Sequence, residues 1–116
     1  MRDKSRITEI KETLLEHLKK EHVFWSYDNN EISIETLTDD ALIAYSLRYL
    51  DLSEINLLFS IFPKTKIKRI WVSRLIPEGE YLYTLNRFFA WYYFNAKRPG
   101  QYIKSLHTRH LNRMIS

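Results

Sequence analysis

The chain holds only two glycines and three prolines in 116 residues. Tight β-turns draw on Gly, Pro and Asn clusters, so an all-β fold has too little punctuation here. Helices joined by short connections need less of it. Cysteine is absent as well, which removes both a disulfide-stapled module and any thiolate metal site. One real core can form at this length. Eight Tyr, six Phe and three Trp supply apolar surface to offset the entropy of ordering. The expectation is a mainly α protein, a compact bundle of about five to six helices in a single domain over residues 1–116.

The pattern divides that domain into parts. Over residues 1–21, Ile7, Ile10, Leu14, Leu15 and Leu18 share one face of an amphipathic helix spanning Ser5 to Glu21, with Ser5 or Thr8 as its cap. Residues 22–37 differ. Phe24, Trp25 and Tyr27 crowd into Phe24–Asp28, which is either core, as three aromatics in five positions favour, or an exposed docking segment; Asn29 and Asn30 offer a turn, and 31–35 alternates polar and apolar, with room for one short extended segment. Residues 38–76 read as a helix-turn-helix-like tri-helical unit. Its first helix starts at Thr38 with Asp39 and Asp40 and buries Leu42, Ile43, Leu47 and Leu50. Its second is capped by Ser53 and ended by Pro63; its third carries Ile67, Ile70, Trp71 and Leu75 from Thr65 until Pro77. Over residues 80–116, Tyr81–Ala96 is apolar almost all round, the signature of a helix central to the core or covered by a partner. Helical spacing assigns Phe88, Phe89, Tyr92 and Tyr93 to that core rather than to base stacking. A basic helix from Gln101 to about Met114 follows, burying Tyr102, Ile103, Leu106, Leu111 and Met114.

Charge is unevenly spread. Residues 1–62 hold seven Lys/Arg against twelve Asp/Glu, a balance of −5, whereas residues 63–116 hold eleven against two, a balance of +9. No acidic residue follows Glu80. A nucleic acid or an acidic protein fits such a chain, and so does a molecule whose two halves attract each other. On the third helix, Thr65, Lys66, Lys68, Arg69 and Ser73 lie opposite the apolar side, and these are side-chain types that contact phosphates and base edges in a major groove. Lys97, Arg98, Lys104 and Arg109 would then serve as backbone contacts. A solvated helix face explains the same residues, and Pro63-Lys64 stands where such turns often use Gly.

Signals for catalysis are poor. His107 and His110 stand at i,i+3 in an acid-free tail, without a carboxylate to complete a divalent site, and read as an extension of positive surface. Asp39 and Asp40 read as helix-start residues rather than an acid–base pair. Neither a phosphate-cradling glycine loop nor a Gly-x-Ser-x-Gly elbow occurs. Neither a cofactor nor a metal is expected. No apolar run approaches the roughly 20 residues of a bilayer span, and the N-terminus has no signal-peptide core, so a cytoplasmic protein without membrane contact is the expectation.

Phe24-Trp25-Ser26-Tyr27-Asp28, a capped helix, Leu50-Asp51 through Leu58-Phe59 and Phe62, then Lys66-Ile67-Lys68-Arg69-Ile70-Trp71, and later Leu85-Asn86 with Ala90 and Tyr93-Phe94 follow in a fixed order. In this order, over about residues 20–105, the chain resembles a family of small bacterial proteins common in Bacteroidetes. Members of that family are often encoded beside a nucleotidyltransferase-type toxin of the abortive-infection class and are regarded as its antitoxin. The resemblance implies a protein partner of that kind and no catalytic residues. The chain also lacks the Gly-Ser and Asp-x-Asp arrangement of the transferase itself. The leading expectation is therefore a non-enzymatic binding module, an antitoxin-like partner of such a toxin with DNA binding for autoregulation. The alternative is a homo-oligomeric interaction protein, for instance a homodimer, in which the acidic half of one copy meets the basic half of another.

Overall fold

The computed structural model describes residues 3–21 and 33–115, with side chains over 5–21 and 33–109. The Phe24–Asp28 segment, and the side chains of His110, Leu111 and Met114, lie outside the described residues. The described chain is mainly helical and contains no strand. Its helices are α1 (Asp3–Lys20), α2 (Asp39–Tyr49), α3 (Leu52–Ile61), α4 (Lys64–Ile70), α5 (Tyr83–Tyr92) and α6 (Pro99–Ile115), with a π turn (Trp71–Leu75) and a 3-10 stretch (Ile76–Leu82) between α4 and α5. Two compact units result, residues 1–67 and 68–116. The division falls inside α4, within the stretch read as one tri-helical unit.

In the first unit, α1 packs on both α2 and α3, which pack on each other. Leu14, Leu18, Ile43, Leu47 and Leu58 are fully shielded; burying a side chain of this size stabilises by about 1.5–3 kcal/mol. Helix α2 starts as its sequence dictates, with the Thr38 hydroxyl accepting from the Ala41 N–H at 3.1 Å. Leu50, expected in the core, is only half-buried because it is the residue that ends α2, with extended backbone. Helix α3 begins one residue before the expected cap. Asp51 occupies the N-cap position, and the Ser53 hydroxyl bonds the Glu54 carboxylate instead. The described end of the 31–35 stretch is a turn rather than an extended segment. The N–H groups of Thr36 and Leu37 both donate to Ser33 O, at 3.1 and 2.9 Å, and the Ser33 N–H donates to Thr36 Oγ1 at 2.9 Å.

In the second unit, the helix expected to stop at Pro77 does not. Proline has no N–H, and its ring clashes with the carbonyl four residues back, so α geometry cannot continue into it. The chain widens instead: the Ile76 N–H donates to Trp71 O, a span of five residues, as in a π turn. Helical turns then carry the chain past Pro77 to Leu82, broken at Gly79, whose φ of 59° and ψ of −128° lie where a side chain is disfavoured. Helix α5 packs on this stretch and on α6, and α6 packs on it too. Asn86 is fully buried at the centre. Its Oδ1 accepts from Trp71 Nε1 at 2.9 Å, and its Nδ2 donates to Leu75 O at 3.2 Å. Asn95 ends the helical segment with φ 56°, a left-handed conformation that Asn tolerates, and the Ala96 N–H turns back to Ala90 O at 2.9 Å.

Two buried polar side chains therefore have opposite consequences. Asn86→Leu keeps volume but strands the Trp71 N–H and the Leu75 carbonyl, and should lower unfolding free energy by about 2–4 kcal/mol. Ser46, fully buried in α2, has a hydroxyl with no hydrogen-bond partner, so Ser46→Ala should raise it by about 1 kcal/mol. Urea denaturation of the two variants checks both signs.

Candidate binding surfaces

The five α4-region residues read as a nucleic-acid face do not act as one free set. Thr65 and Lys66 belong to the first unit; Lys68, Arg69 and Ser73 belong to the second. Thr65 and Arg69 are exposed. Lys66 is half-buried with its ammonium 5.5 Å from the Phe62 ring centroid. Lys68, also half-buried, lies over two rings, 5.9 Å from Phe94 and 5.3 Å from Tyr102. Those rings stack on Trp71, with centroids at 4.7 and 6.3 Å. Lys68 therefore covers an aromatic cluster, a contact that holds a cation without neutralising it. Ser73 falls in the π turn and spends its hydroxyl on Ile70 O at 3.2 Å.

The later cations are more open. Lys97 and Arg98 are exposed in the turn before α6. Gln101, Lys104, Ser105, Thr108 and Arg109 are exposed in turn along α6, the spacing of one helix face. Ile103 and Leu106 are buried on the other side. His107 departs from expectation. It is half-buried, with Nδ1 shut away and without a hydrogen-bond partner, rather than standing out on the open face. Among the described residues, no group of three His, Cys, Asp or Glu could hold a metal ion, and no helix is long and apolar enough to cross a membrane.

The largest departure concerns α5. Phe89 and Ala90 are buried beside Asn86, and Tyr93 is half-buried. Phe88 and Tyr92, expected in the core, are exposed at 37% and 45%, along with Tyr83 at 41% and Trp91 at 59%. One helix packed on one side can cover only one stripe, and Asn86 fixes which stripe faces in. The outward positions 83, 84, 87, 88, 91 and 92 form a ridge of aromatics with Thr84 and Arg87 among them. Phe88 stacks on Tyr92 at 5.2 Å and 13°, Trp91 lies 6.2 and 5.9 Å from those rings, and the Arg87 guanidinium sits 5.6 Å over Tyr83. Tyr81, on the preceding stretch, is exposed as well.

The first unit presents carboxylates instead. Glu9, Glu12 and Glu16 are exposed along α1. Lys11 bridges to Asp39 at 3.0 Å, and His17 Nδ1 lies 3.4 Å from Glu54 Oε1 beside a cleft of about 230 Å³ lined also by Lys20, Tyr49 and Asp51. The Ser53 hydroxyl holds the Glu54 carboxyl below its ordinary 4.5, against the opposing effect of burial; its own backbone N–H and His17 add to the lowering.

Tyr93 is perturbed the other way. Burial, then the neighbouring Tyr92, pushes its phenol up from 10.0 to about 12. Between those values the unfolded chain gives up this proton and the folded one keeps it, so the Tyr93 contribution to stability is intact below pH 10 and is lost as pH rises toward 12. Tyr93→Phe should therefore flatten the fall in urea midpoint between pH 9.5 and 11.5 relative to the parent chain; identical slopes would contradict the burial of this phenol.

No protein-family model, no curated protein and no solved structure matches the chain.

Proposed function

We propose that the chain is a non-enzymatic binding module, an antitoxin-like cytoplasmic partner of a nucleotidyltransferase-type toxin. The observation that carries this reading is the outer face of α5. Four ordered aromatic rings stand in solvent there, on the order of 350 Å² of aromatic surface. A contiguous apolar patch of this size is comparable to the largest that a typical monomer exposes, and such patches are often functional. The motif series from Phe24 to Phe94 supplies the kind of partner.

A second activity, DNA binding for autoregulation, is favoured by the exposed Lys104–Arg109 stripe of α6 and by the charge of residues 68–116, nine Lys/Arg against two Asp/Glu. Phosphate contacts of this type position a protein without reading sequence.

Co-expression with the product of the neighbouring reading frame tests the main reading. A nucleotidyltransferase-type protein that co-purifies with the chain through size exclusion is the expected result. A neighbour of another type, or a transferase that separates cleanly, contradicts it. Duplex DNA affinity should fall steeply with salt, and Lys104→Glu/Arg109→Glu should abolish it. Undetectable binding at low salt removes the DNA activity and leaves the partner reading standing.

A further inference from the structure

The ridge on α5 is specific enough to say what it fits. We propose that it docks an amphipathic helix of a partner protein whose apolar stripe is flanked by carboxylates; this deepens the binding-module reading and rests on it. Tyr83, Arg87, Phe88, Trp91 and Tyr92 stand at i, i+4, i+5, i+8 and i+9 of one helix, the row that packs against a facing helix. The rings already support one another, Phe88 on Tyr92 and Trp91 against both. Little side-chain freedom is left to lose on binding.

Charge selects the occupant. Arg87 is the single charged residue of the ridge, and no acidic residue occurs from Tyr81 to Ser116. A helix with Glu or Asp beside its apolar stripe meets Arg87 favourably and gains from the surrounding positive field; a Lys-flanked one meets repulsion.

Two other occupants fit less well. In an antiparallel pair of α5 helices the two-fold axis passes near Arg87 and Phe88, the middle of Tyr83–Tyr92. That sets two guanidinium groups together with no carboxylate on the face to separate them. Single-stranded nucleic acid needs open ring faces for its bases, but Phe88 and Tyr92 lie nearly parallel and cover one another at 5.2 Å.

The test uses the full chain and two labelled helical peptides of about 20 residues, with the same leucine stripe and either Glu or Lys flanks. Fluorescence anisotropy at low salt should show the Glu-flanked peptide binding at least about tenfold tighter. Trp91→Ser or Phe88→Ser should weaken it about tenfold or more, and Arg87→Glu should reverse the preference. All three changes are at exposed positions, and circular dichroism checks that the helices persist. Equal binding of the two peptides, no binding of the Glu-flanked one, or indifference to Trp91→Ser overturns the proposal. So does a Trp91-dependent dimer, or displacement of the peptide by oligo(dT), which would assign the face to a second copy or to nucleic acid. A chain that co-purifies with its toxin yet fails the peptide test keeps the binding-module reading and loses this one; one that passes it but finds no toxin keeps the binding module and its docking face and loses only the nucleotidyltransferase partner.

Discussion

The Asn86 carboxamide is the constraint from which the second unit follows. Pro77 prevents the chain from running on as an α-helix, the π turn is the resulting adjustment, and the Leu75 carbonyl needs a donor. Asn86 supplies it and accepts the indole N–H of Trp71 with its other end. A buried amide with both ends bonded fixes geometry in a way that apolar packing alone does not. It pins α5 in rotation: Phe89 and Ala90, three and four residues on, must face inward with it. The positions about half a turn away must then face out, whatever they are.

What they are is aromatic, and that is where local stability and function meet. A helix with rings on nearly every side could have been surrounded by its own protein, but within its unit α5 packs on the 3-10 stretch and α6, with Asn86 reaching the π turn. The surplus rings are left facing water in an ordered ridge. The cations sort differently. Lys66 and Lys68 settle over rings of their own units, while Lys104 and Arg109 remain open on α6. An apolar, singly charged ridge suits a protein, and an open basic stripe suits phosphate; an antitoxin-like module that also represses its own gene would use both kinds of surface.

Much of the fold was legible in the residues. The i,i+3/i+4 pattern of α1, the Thr38 cap and the shortage of glycine gave helices in the right places, with most ends displaced by one or two residues, though α5 stops at Tyr92, four short of the expected Ala96. Three features were not legible, each for a physical reason. Pro77 reads as a stop, but a proline at the start of a 3-10 turn costs no hydrogen bond once the preceding turn has widened. Rings on nearly every side of Tyr81–Ala96 obscure which of them face in. Two neighbouring polar residues inside that run were the available signals, since a buried amide such as Asn86 needs partners and points inward, and a guanidinium such as Arg87 stays in water. The α4 face was read from wheel position and side-chain type, which cannot show that Lys66 and Lys68 would be drawn onto aromatic rings or that Ser73 would sit in a π turn.

Asn86 turns Trp71 inward and Trp91 out. Acrylamide quenching in a Trp25→Phe background, which leaves these two indoles, measures it directly. One readily quenched, red-shifted emission should disappear on further Trp91→Phe, leaving a blue-shifted emission almost insensitive to acrylamide, in line with exposures of 59% and 0%. Equal shielding of the two indoles would mean that the outer face of α5 is covered within the protein itself, and the docking surface would not exist.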